Sequence, residues 1–184
     1  IAIYRTAAFA FLLSVIICPL YIHFSRRLRY GQQVRLDGPR RHLRKAGTPT
    51  MGGLVFLFSL LVTFLLFAPK TPGLFLVLLL TFSSAFLGFM DDYQKVVHRR
   101  SLGIRARDKL LAQFIFALLF YFFLLALGHS TLVAVPFTSL QVDLGLFYPL
   151  LIFLIIIGFS NAVNLTDGID GLAGGAAILA LLAL

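Results

Sequence analysis

Long apolar stretches alternate with short polar segments along the whole chain. Five apolar runs stand out, over Thr6–Phe24, Met51–Ala68, Leu74–Met90, Leu110–Leu127 and Phe147–Phe159. A hydrocarbon core about 30 Å thick takes about 20 mostly apolar residues per helix. The first four runs approach that length, and the fifth reaches it by extending through Gly145-Leu146 or Ser160–Val163. A sixth run begins at Leu172 and is too short by Leu184 to span alone. Between the fourth and fifth, Thr131–Val135 and Ser139–Leu144 are β-prone pieces around Pro136, which predicts a small hairpin. The pattern predicts an all-α polytopic transmembrane helix bundle of about five spans plus a truncated sixth. We expect residues 1–184 to form a single integral membrane domain, incomplete at its C-terminus because the chain closes inside an apolar run.

Composition sharpens this. The chain is 60% hydrophobic and only 12% charged, whereas a soluble domain carries about 25% charge. Its single cysteine, Cys18, lies inside an apolar run and is expected to be inert packing. The first run lacks a small-residue cleavage site and is followed by further spans, which argues against a removable signal peptide.

The formal net charge of +9 does not point to nucleic acid, because of where the charge sits. Residues 25–50 and 90–109 hold 14 of the 16 lysines and arginines, while 128–146 hold none. Cytoplasmic loops carry the excess of Lys and Arg, so both basic loops are expected inside and the N-terminus outside. A basic rim also suits anionic lipid headgroups. Counting spans then places Asp91-Asp92 and the segment Ser160–Gly171 on the cytoplasmic face, and 128–146 on the outer face, where Asp143 and His129 are expected to be solvated. His42 and His98 have no partner at metal-ligand spacing and are also expected to be solvated.

There is no glutamate, and four of the seven aspartates fall in two groups, Asp91-Asp92 and Asp167-Gly168-Ile169-Asp170. Carboxylates at the end of a membrane span are expensive and mark functional sites. Clustered near headgroups, they could serve a divalent cation and phosphate chemistry. On a continuing helix Asp91 and Asp92 point about 100° apart, and Lys95 could pair with either. The competing explanation is an ion-pair cluster that ends a helix. Around Asp167 and Asp170, an i,i+3 pair, Asn161, Asn164 and Thr166 add oxygen ligands and donors. There the competing explanation is a helix cap followed by small-residue packing. Lys45–Gly53 opens the second run, and its hydroxyls and paired glycines could cradle a phosphate, or Thr50 could simply cap the helix. Lys109 precedes the fourth run and has snorkelling as its plain explanation.

Four segments together resemble the polyprenyl-phosphate N-acetylhexosamine-1-phosphate transferase superfamily. They are Lys45–Gly53 (KAGTPTMGG), Gly88–Val96 (GFMDDYQKV), Arg107-Asp108-Lys109 and Asn161–Gly175 (NAVNLTDGIDGLAGG). The likeness is to its phospho-N-acetylmuramoyl-pentapeptide transferase branch. Members that transfer plain GlcNAc-1-phosphate typically show Pro-Arg after the threonine of the first motif, a place filled here by Thr50-Met51, and Thr166 precedes the Asp-Gly pair as in the muramoyl branch.

The resemblance implies a Mg²⁺-dependent transfer of phospho-MurNAc-pentapeptide from UDP-MurNAc-pentapeptide to undecaprenyl phosphate. The products would be lipid I and UMP, at the bacterial cytoplasmic membrane in peptidoglycan synthesis. It further implies Asp91 as base for the lipid phosphate, with Asp92 supporting metal or substrate phosphates. Asp167 and Asp170, with Asn161 and Asn164, would hold the nucleotide and metal region, so that Asp91, Asp92 and Asp167 are the metal candidates. Lys45, Thr50, Lys95 and Lys109 would contact phosphates or uracil. The partners implied are the two substrates and membrane lipids, with homodimerisation left open and no nucleic acid. Family members continue through more spans carrying another aspartate and a histidine-rich loop, which implies that this portion alone is inactive. The alternatives are a GlcNAc-1-phosphate transferase of the same superfamily and an ion or metal transporter; a transporter would place its acids near mid-span.

Overall fold

A computed structural model describes residues 2–27, 48–98, 103–167 and 171–182. They fall into two compact units, Ile1–Lys109 and Leu110–Leu184.

The first unit holds helices α1 (Ala2–Arg27), α2 (Gly53–Phe67) and α3 (Pro72–Val97). The apolar run at Met51 becomes helical only at Gly53, because Met51 takes a left-handed φ of 62° that a helix cannot continue through. At its other end, Ala68 precedes Pro69 and is pushed to ψ 142°, which stops the helix. The result is 15 residues, about 22 Å of helix, shorter than the run suggests. Lys70 closes it by donating to the Phe64 carbonyl at 2.6 Å, which also accepts the Ala68 amide, and to the Leu65 carbonyl at 3.0 Å, its ammonium 4.6 Å from the Phe64 ring centre.

Helix α3 starts cleanly, with Pro72 in its first turn and the Thr71 side chain accepting from the Leu74 amide at 3.4 Å. It runs on without a break through Asp91-Asp92 to Val97, as a continuing helix requires. Edge-to-face rings seat α2 against its neighbours: Phe9 on Phe67 with centroids 5.1 Å apart, and Phe64 on Phe75 at 5.3 Å.

Helix α4 (Ala106–Ala126) begins in the first unit and forms the start of the second. It ends at Gly128, whose φ of 74° lets the His129 amide reach Leu124 O and the Gly128 amide reach Leu125 O, satisfying the last carbonyls. The predicted hairpin follows as β1 (Leu132–Ala134) and β2 (Gln141–Asp143), antiparallel, with Val133 opposite Val142. Asp143 is exposed but not simply solvated. Its Oδ1 accepts from the Thr131 hydroxyl and from the Gly145 amide at 3.0 Å, tying the hairpin mouth to the short 3-10 turn Gly145–Phe147 that leads into α5 (Tyr148–Thr166). Helix α6 (Leu172–Leu182) is short, as expected.

Among the described residues, only Val55, Phe64, Leu76, Ala117 and Ile152 form the buried apolar set, while Ser25, Ser59, Thr63 and Gln113 are the buried polar ones. Most large apolar side chains face outward, the reverse of a water-soluble core. Cys18 is exposed on α1, so it does not pack as expected. Among the described residues, four helices are long and apolar enough to cross a membrane: Ile3–Arg27, Pro72–Val97, Ala106–Ala126 and Gly145–Thr166. The chain is an all-α polytopic integral membrane protein with a small two-stranded hairpin.

Candidate active site

In the first unit the site is built on the last turns of α3. Asp91 and Asp92 share one ammonium: Lys95 Nζ lies 2.5 Å from Asp91 Oδ2 and 3.2 Å from Asp92 Oδ1. The i,i+4 and i,i+3 spacing places a lysine between two carboxylates that would otherwise repel. The two aspartates then diverge, because their side chains leave the helix about 100° apart.

Asp91 turns toward the start of α4. Its Oδ1 accepts the Ile104 amide at 2.8 Å, and its side chain is only 16% exposed. Asp92 turns toward the strand-like segment before α2. Its Oδ2 accepts the Thr50 hydroxyl at 3.3 Å, and its side chain is 35% exposed. Thr50 is itself held, since Tyr21 of α1 donates to its carbonyl at 2.6 Å and Tyr21 also hydrogen-bonds the buried Ser25. Thr50 therefore does not cap α2; Gly52 occupies the cap position with no side-chain bond. Three distant stretches of sequence meet here, on α1, on the Thr48–Gly53 segment and on α3. Beside them lies an apolar cavity of about 170 Å³ lined by Tyr21, Phe24, Met51, Leu54, Phe89 and Tyr93, among others. Gly52 and Gly53 face open space, leaving their backbone approachable.

Lys109, at the first turns of α4, is half-buried, with its amide bonded to Arg105 O at 3.0 Å. Lys45 and Asp170 lie outside the described residues.

In the second unit, Asn161 is engaged in packing. Its Nδ2 donates to Gln113 Oε1 at 3.0 Å and to Ile157 O at 2.9 Å, while Gln113 Nε2 donates to Ser160 Oγ at 2.9 Å. This polar chain joins α4 to α5. Asn164 is exposed one turn on, and Thr166 spends its hydroxyl on Ala162 O at 2.8 Å. Asp167 is exposed at the C-terminal cap of α5. Helix α5 ends at Thr166 and the next described helix starts at Leu172, after Gly171 at φ 80°; the expected pairing of Asp167 with Asp170 falls on residues outside those described. Asp167 sits where the dipole of α5 disfavours an anion, so its presence there is not explained by helix stability.

Sequence reasoning missed Tyr21, Ser25, Gly103, Ile104 and Gln113. Gln113 had a readable signal, an amide inside an apolar run whose cost demands a partner. Tyr21, Gly103 and Ile104 enter through contacts distant in sequence with no local signature, and Ser25 only through Tyr21. Among the described residues, no cluster of three or more His, Cys, Asp or Glu side chains forms a metal cage. A neighbouring pair of aspartates is nonetheless the donor set that Mg²⁺ takes when substrate phosphates and water supply the other oxygens.

Residues 74–184 match the model for glycosyl transferase family 4, and residues 45–57 match signature 1 of phospho-N-acetylmuramoyl-pentapeptide-transferase. The chain is 46% identical over 180 residues to the phospho-N-acetylmuramoyl-pentapeptide-transferase of Oceanobacillus iheyensis, covering 95% of this chain and 55% of that protein. Against the same-named proteins of Anoxybacillus flavithermus and Bacillus anthracis it is 46% and 45% identical over 179 residues, again covering 95% of this chain and 55% of theirs. The chain thus spans about half the length of these relatives. Thr50 lies in the signature, and Asp91, Asp92, Lys95 and Asp167 lie in the family match. The chain belongs to glycosyl transferase family 4, with its likeness there to the phospho-N-acetylmuramoyl-pentapeptide transferases.

Proposed function

We propose that this chain is part of an enzyme that transfers phospho-MurNAc-pentapeptide from UDP-MurNAc-pentapeptide to undecaprenyl phosphate, giving lipid I and UMP. The observation that carries the reading is the convergence of Thr50, from the signature segment, and Lys95 on the Asp91–Asp92 pair at the end of α3. A phosphoryl transfer between two anionic substrates needs charge neutralisation and positioning more than covalent help from the protein.

The α3 end bearing Asp91-Asp92 lies at the cytoplasmic face by the charge of its flanking loops, where a lipid phosphate sits at headgroup depth. Asp91, oriented by the Ile104 amide, takes the proton from the lipid phosphate. The freed oxygen attacks the sugar-bearing phosphorus, a new P–O bond forms, and the bond to the UMP oxygen breaks. In this reading Lys95 and Thr50 contact phosphate oxygens, and Lys45 and Lys109 add positive charge for the nucleotide. Asp167, Asp170, Asn161 and Asn164 serve nucleotide and metal binding in this reading. Mg²⁺, held by Asp92 with Asp91, would neutralise charge on the phosphates. The basic loops at 25–50 and 90–109 raise the local concentration of the anionic nucleotide.

The test is to supply the full-length protein, in detergent with undecaprenyl phosphate, with UDP-MurNAc-pentapeptide and separately with UDP-GlcNAc. Release of UMP with the first substrate, dependent on the lipid, is the expected result. Turnover of UDP-GlcNAc alone assigns the protein to the other branch, and metal flux in proteoliposomes without UMP release makes it a transporter.

A further inference from the structure

Gly103 has no room for a side chain. A Cβ built on it would run into the Asp91 carboxylate and stand 2.8 Å from the Asp91 carbonyl oxygen. Its backbone is not in the left-handed region, so conformation alone would admit any residue there. The requirement is steric. It exists because the segment entering α4 lies directly on Asp91, close enough for the next amide, Ile104, to donate to Asp91 Oδ1 at 2.8 Å. A moved backbone oxygen on α3 would break the helix ladder, so an added methyl must displace the Gly103–Ile104 segment instead.

We propose that Gly103 is a positioning residue for Asp91: the missing side chain lets the Ile104 amide dock on the carboxylate and fix its orientation. With Lys95 holding the other oxygen, each Asp91 oxygen then has a defined donor. The segment that leads into α4 thereby sets the aim of a carboxylate on α3. The consequence for turnover rests on the function proposed above; the docking itself does not.

Two measurements on the full-length protein test it separately. The first is hydrogen exchange at the Ile104 amide. Protection in the wild type, with exchange at least tenfold faster in Asp91→Ala, is expected; equal rates in the two proteins overturn the docking. The second is kinetic, on Gly103→Ala with UDP-MurNAc-pentapeptide. A misplacement of about 1 Å costs up to about a hundredfold in rate, so kcat should fall tenfold to a hundredfold with KM for the nucleotide within about twofold. Gly73→Ala, where a Cβ meets nothing within 4 Å, should leave both constants unchanged. Wild-type kcat in Gly103→Ala, or a rise in KM with kcat intact, overturns the positioning role. Protected exchange at Ile104 in a wild type that turns over no UDP-MurNAc-pentapeptide would leave the docking standing and reject the proposed function instead.

Discussion

Replacing Lys95 by methionine removes the one ammonium that both aspartates share while keeping a stem of similar length. The two contacts, 2.5 Å to Asp91 and 3.2 Å to Asp92, are charge-assisted hydrogen bonds, each about 1.5–3 kcal/mol when buried. Here the lysine is 34% exposed and its partners 16% and 35%, so solvent screening brings the pair toward the range of exposed bridges, about 0.2–1 kcal/mol each. Adjacent carboxylates left without a cation add repulsion on top. The expected loss is therefore about 1–3 kcal/mol, below the roughly 3–5 kcal/mol of a fully buried broken pair. Equilibrium unfolding of the full-length protein in mixed micelles measures it. Lys95→Arg keeps the charge and should lose less than half as much. A second measurement is a cycle with Asp91→Asn: the methionine substitution should cost less once that aspartate is neutral. An unfolding free energy for Lys95→Met within about 0.5 kcal/mol of wild type would show that the ammonium does not stabilise the pair, and would refute the reasoning.

Three other outcomes follow from the packing. Gln113→Met breaks the chain linking Ser160 and Asn161 and should cost about 1 kcal/mol, within the range of interhelical hydrogen bonds in membranes, read by the same unfolding titration. Among the described residues Ser59 Oγ is buried with no hydrogen-bond partner, so Ser59→Ala should be neutral or stabilising by about 0.5–1 kcal/mol; a loss of stability would reveal a partner. The Thr131 hydroxyl, and then the Gly145 amide, hold the Asp143 carboxyl below its usual range. A lowered folded-state value means this contribution is present above the ordinary carboxylate range and lost as pH falls through the depressed one. Hairpin amide protection at Leu144 and Gly145 should weaken there, and Asp143→Asn should abolish that pH dependence.

The features legible in the sequence were those set by local spacing. Helix-length apolar runs, the hairpin around Pro136, and the Lys95 pairing at i+3 and i+4 all follow from periodicity. The late start of α2 was not legible, because a methionine at positive φ has no compositional signal. Nor was the role of Thr50: a threonine before a helix reads as a cap, and only the approach of α3 turns its hydroxyl to Asp92. The contact of Gly103 with Asp91 spans a loop and depends on how the chain returns after α3, which pattern alone does not specify.

The central claim is that the Asp91–Asp92 end of α3 is where the phosphate is transferred. Its most direct test is UMP release by full-length Asp91→Asn, with the folded state checked by a cooperative unfolding transition. The account predicts a loss of at least about a hundredfold, in keeping with removal of a general base. Turnover near that of the wild type would contradict it.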